Sequence, residues 1–115
     1  MRVQQVLGEG LGERVFARIA DHLGDVATVR ISRTQISFVR RRGFAFLWTP
    51  RRWQGPSAAP VVLTVALCDV DPSSRWKEVY EVRSNLWNHH LEIRDVTEVD
   101  GEVLEWVDRA WEQAA

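Results

Sequence analysis

The sequence predicts an α+β domain: an N-terminal helix, a five- to six-stranded, largely antiparallel sheet, and a C-terminal helix packed on one face. Three observations predict it. An apolar stripe of helical period lies near the start. The middle of the chain alternates at period two in short runs broken by turn residues. A second helical stripe closes the chain. The connections between the middle runs are short, which favours antiparallel neighbours, and two helices on one face would cover such a sheet.

Leu11, Val15, Ile19 and Leu23 recur at helical spacing, with Phe16 and Ala20 beside them, and Gly24 is a plausible stop. The stretch 8–12 leaves the start of this helix undefined. The period then becomes two. Ala27, Val29 and Ile31 alternate with Thr28, Arg30 and Ser32, and residues 34–40 continue as a strand with Ile36 and Phe38 on one face. Arg41, Arg42 and Gly43 form a short turn. Phe44, Phe46 and Trp48 then alternate with Ala45 and Leu47, so a hairpin is expected. Pro50 ends that strand, and 54–60 is a loop. Residues 61–68 are apolar on both faces, as a central strand requires. A turn at 69–74 precedes strands at 77–82 and 86–93. In the final helix Thr97 is the expected N-cap, with Asp100 three residues on, and Val99, Val103, Trp106 and Ala110 form the buried stripe.

The 115 residues suit one domain, spanning 1–115. A hydrophobic share of 45% with 27% charged residues excludes a disordered chain. Six tryptophans supply a large apolar area. Cys68 is the single cysteine, so no intrachain disulfide is possible, and it reads as a small buried hydrophobe. The first nine residues lack the apolar run of a signal peptide, and no stretch is long enough to cross a bilayer. A cytoplasmic protein without membrane association is expected. Charge is unevenly placed. Residues 26–68 hold seven arginines and no acid, whereas 69–115 hold five bases and twelve acids.

The order of several segments is familiar. Residues 34–38 (Thr-Gln-Ile-Ser-Phe), 41–45 (Arg-Arg-Gly-Phe-Ala), Trp48 with Pro50, Arg51 and Arg52, and Trp87 with 89–93 (His-His-Leu-Glu-Ile) resemble a bacterial domain-of-unknown-function family, the one numbered 5655. The resemblance spans nearly the whole chain. It implies a fold and a bacterial origin, and it brings no catalytic residues with it.

Three constellations are candidates for chemistry. His89 and His90 are adjacent on a strand and point to opposite faces; if the odd positions face the core with Trp87, Leu91 and Ile93, His89 is inward and His90 outward with Asn88 and Glu92. Such a pair cannot chelate one metal. The plain reading is one core and one surface histidine. The functional reading is a general base. Arg30, Ser32, Gln35 and Ser37 form a polar stripe on two neighbouring strands, either a solvated sheet face or a site for an anion gripped by arginine. Phe44, Phe46, Trp48 and Trp53, interleaved with arginines, are either a core-facing strand or a stacking platform for nucleic acid.

No nucleophile elbow, P-loop or dinucleotide fingerprint is present, and neither cofactor nor metal is expected. The leading expectation is a non-enzymatic binding module for an anionic small molecule or a nucleic acid, reached through the arginine-rich middle. Its candidate residues are Arg30, Gln35, Ser37, Arg41, Arg42, Trp48, Arg52 and His90. The alternatives are an unfamiliar small enzyme using His89 or His90 with Arg30 or Arg42, and a protein that self-associates, as a homodimer, through surplus aromatic surface.

Overall fold

A computed structural model describes residues 1–50 and 59–115. Short α1 (Val3–Leu7) turns directly into α2 (Leu11–Leu23). The sequence reading had assigned no element to α1, since five residues carry too few apolar positions to show a period. The contact between the two helices depends on Gly12, where a Cβ would fall 2.5 Å from that of Leu7. Helix α2 buries Val15, Ile19 and Leu23 and ends at Gly24, the expected stop, whose positive φ of 60° a glycine adopts without strain.

Six strands follow: β1 (Thr28–Ile31), β2 (Ile36–Val39), β3 (Gly43–Trp48), β4 (Val61–Leu67), β5 (Glu78–Arg83) and β6 (Leu86–Ile93). They form one sheet in the order β1-β2-β3-β4-β6-β5, each neighbour antiparallel. Central β4 is buried along its whole length, as its two-sided apolar pattern requires. Strand β2 starts later than expected. Ser32 Oγ accepts from the amides of Thr34 and Gln35, and this turn occupies 32–35. Ser32 thereby serves the turn and not the polar stripe.

Cross-strand pairs fix the two faces. Ile36, Leu47, Leu63 and Leu91 line up on one face, as do Phe38, Ala45, Val65 and His89. Helices α2 and α3 (Gly101–Gln113) cover this side, and Val103, Trp106, Val107 and Ala110 join its core. The register of β2 on β3 skips Phe44, which is the extra residue of a β-bulge. Phe44 and Ala45 are therefore both buried in the core, while Phe46 and Trp48 turn to the other face. The expected single aromatic face of Phe44, Phe46 and Trp48 is split by that one residue.

The start of the last helix also differs. Asp95, not Thr97, caps a short 3-10 turn (Val96–Glu98), accepting from the Thr97 amide at 2.9 Å. Asp100 then caps α3, accepting from the Val103 amide at 3.1 Å. Two carboxylates at successive turns outcompete the threonine hydroxyl, which itself donates to Asp95. Among the described residues, no helix is long and apolar enough to cross a membrane.

Candidate functional site

Strand alternation sends Ser37, Phe46, Thr64, His90 and Glu78, a continuous cross-strand row, to the face that none of the described helices covers. The row is joined by Trp48 from the end of β3, Asn88 from β6 and Tyr80 from edge strand β5. Of these, Phe46, Trp48, Thr64, Tyr80, Asn88 and His90, with Thr34, Gln35 and Thr49, bound a hollow of about 440 Å³. A second hollow of about 290 Å³ adjoins it, sharing Trp48 and His90 and bringing in Lys77, Glu78 and Glu92.

His90 is the hinge between the two hollows. Its ring lies 5.5 Å from that of Trp48, nearly perpendicular, and 5.3 Å from that of Tyr80. Its Nδ1 is 2.6 Å from Thr64 Oγ1, which also accepts from Trp48 Nε1 at 2.9 Å. The indole nitrogen only donates, so the threonine oxygen accepts from it and the hydroxyl hydrogen is free to turn to His90 Nδ1. His90 Nε2 faces Glu78 Oε1 at 3.9 Å. Burial pushes the His90 pKa below the ordinary imidazole value, with Glu78 opposing and His89 adding to the fall.

Hydroxyl, imidazole and carboxylate thus stand in a row, but they do not make a nucleophile. Thr64 is 2% exposed and its oxygen already accepts from an indole. Glu78 is beyond hydrogen-bond reach of the ring. The arrangement locks His90 and Trp48 in place as walls.

His89 faces the opposite way and is fully buried. Its Nε2 accepts from the Asp71 amide at 2.9 Å, and its Nδ1 donates to the carbonyls of Trp87 at 3.1 Å and Val65 at 3.3 Å. With both nitrogens occupied it has no proton to exchange with a ligand. Burial lowers its pKa, against the pull of the two carbonyls.

The residues singled out from the sequence divide into three groups. Gln35, Trp48 and His90 meet at the larger hollow. Ser37 lies on the same face, accepting from Gln35 Nε2 at 3.4 Å, with Arg30 directly across from it on edge strand β1. Arg41 and Arg42 are at the far end of β3, where the arginine turn receives the end of α3. Arg40 Nη1 donates to the Trp111 carbonyl at 3.1 Å, the Arg41 amide to that of Ala114 at 3.2 Å, and Arg42 Nη1 to that of Gln113 at 2.9 Å. Arg52, with Arg51 and Trp53, lies outside the described residues. Sequence reasoning missed Thr64 and Tyr80. Thr64 had a signal, since a hydroxyl in the middle of an otherwise apolar central strand must find a partner. Among the described residues, no three His, Cys, Asp or Glu side chains come together to hold a metal ion.

A family model described as a domain of unknown function (DUF5655) matches residues 14–114. No curated protein and no solved structure matches the chain.

Proposed function

We propose that this chain, which belongs to the DUF5655 family, a domain of unknown function, is a non-enzymatic binding module that takes a small molecule on the open face of its sheet. The observation that carries this reading is the hollow of about 440 Å³ with aromatic walls and convergent neutral polar groups. Its size falls in the ordinary range for ligand sites, and a few placed polar groups among aromatic ones is their usual composition. Catalysis has less support, because the one histidine at the hollow is held by a hydroxyl already in use. An anionic ligand has less support than the arginine count suggested. Among the described residues, no arginine or lysine lines the larger hollow, and Arg40 and Arg42 bond the end of α3. Self-association through aromatic surface is also less supported. Among the described residues, the exposed large apolar side chains on the strands are Val29 on β1 and Tyr80 and Val82 on β5, at opposite edges of the sheet, and Tyr80 is the one aromatic among them.

The test is a melting-temperature screen against small-molecule classes, read beside Trp48 emission. A ligand at a hundred times its dissociation constant stabilises the folded state by about 2.7 kcal/mol, a shift of several degrees. That shift should vanish in Trp48→Ala. A ligand whose effect survives this substitution binds elsewhere and refutes the proposed site.

A further inference from the structure

Resting on that reading of the site, we infer that the ligand is an uncharged, hydroxyl-bearing ring compound of the saccharide class, seated against Trp48 beside His90. Three features select it. The first is the hydrogen-bonding capacity left after the face has bonded to itself. Gln35 gives an amide N–H to Ser37 and Asn88 gives one to Tyr80, at 3.4 Å each. Each amide keeps its carbonyl oxygen as an acceptor, and the Tyr80 oxygen, having accepted, keeps its own hydrogen to donate. Groups that accept and donate side by side match vicinal hydroxyls, which do both.

The second feature is where these groups stand. Gln35 and Asn88 are on the β2 and β6 sides of the hollow, with β3 and β4 between them. Three strand spacings across the sheet, with an offset of four residues along the strands by the register, put their backbones roughly 19 Å apart. Partners on opposite walls suit a ligand with polar groups around its perimeter. A nucleobase, with its hydrogen bonds along one edge, fits this less well. The two ring contacts of His90, at 5.5 and 5.3 Å, are closed ones, since a ring inserted between two others needs about 7 Å, twice the contact distance.

The third feature is charge. Among the described residues, the larger hollow is lined by no lysine, arginine, aspartate or glutamate, so none of these residues would pair with an ionised ligand desolvated there. Glu78 and Glu92 outnumber Lys77 in the adjoining hollow, which further disfavours an anion.

The experiment is calorimetric titration of the whole chain with a panel of neutral mono- and disaccharides, and in parallel with adenosine and adenosine monophosphate, at low and high sodium chloride. The expected result is binding of a neutral saccharide with an affinity unchanged by salt. Trp48→Ala and, separately, Asn88→Ala should weaken it about tenfold or more. Asn88 lies on the uncovered face, so its variant should melt as the wild type does and report on the ligand alone. Binding of adenosine or its monophosphate in place of any sugar, lost in Trp48→Ala, would overturn the saccharide assignment and leave the binding module standing. Silence from every probe would overturn both.

Discussion

Asp71, in the connection between β4 and β5, gathers partners from three parts of the chain. Its carboxylate accepts from Trp76 Nε1 and Trp106 Nε1 at 3.1 Å, from Arg109 Nη1 at 3.2 Å and from the Ser73 amide at 3.0 Å, while its own amide donates to His89. The two indoles pack at 4.1 Å between ring centres. Asp71→Ala should therefore cost about 1–3 kcal/mol, the usual penalty for leaving buried donors unmet. A urea midpoint equal to wild type would contradict this. Thr64→Val is expected to cost a similar 1–3 kcal/mol, because it strands Trp48 Nε1 and His90 Nδ1 while keeping the shape. At this scale the sequence was readable wherever alternation governs. That His89 and His90 face opposite ways followed from strand geometry alone; which of the two is buried did not. Asp71 was not readable, because it lies in a turn and its partner Trp106 is 35 residues away.

Helix α3 is held at both ends by arginines from elsewhere. Arg75 bonds Asp100 and Glu102 at its start, with its Nη2 on the Glu98 carbonyl. Arg40 and Arg42 meet the carbonyls at its end, and the Arg40 guanidinium lies 3.7 Å from the centre of the Trp111 ring. The residue after this helix, Ala114, has a negative φ and does not close it in the left-handed fashion, and side chains of the β2–β3 turn bond its last carbonyls. Arg42→Ala should lower stability by about 1 kcal/mol and raise amide exchange in the last turn of α3 ahead of its first. Uniform exchange along the helix would count against this cap. Trp106, at 3% exposure, carries the heavier load, and Trp106→Ala should cost about 3–5 kcal/mol by chemical denaturation. The two helical stripes and all six strands could be read from periodicity. The bulge at Phe44 could not, because an inserted residue changes the face of its neighbours without altering composition. That single insertion delivers Phe46 and Trp48 to the open face, and so decides where the site is.

Across the whole molecule, the basic middle meets the acidic second half where Arg40 and Arg42 bond backbone carbonyls at the end of α3. Stability should answer to pH in two windows. Burial lowers the pKa of both His89 and His90 below the ordinary value of about 6.5. As pH falls below 6.5, the unfolded chain takes up protons that the native state refuses, so stability declines. Each refused proton contributes at most about 1.4 kcal/mol per pH unit. His89 contributes most, since protonating Nε2 also breaks its bond to the Asp71 amide. Asp71 governs the lower window. Burial alone would raise its pKa, but its hydrogen bonds with Ser73, Trp76, Arg109 and Trp106 outweigh that and hold it below the ordinary carboxylate value. Its stabilisation is complete above pH of about 3.9 and is lost as pH falls through the lower native value. Urea midpoints measured from pH 8 to pH 3 should be level at first, slope down from about 6.5, and steepen again below about 4. Asp71→Asn should keep the upper slope and flatten the lower one. A midpoint level from pH 7 to pH 5 would mean that His89 takes up its proton inside the native fold, which its three hydrogen bonds forbid.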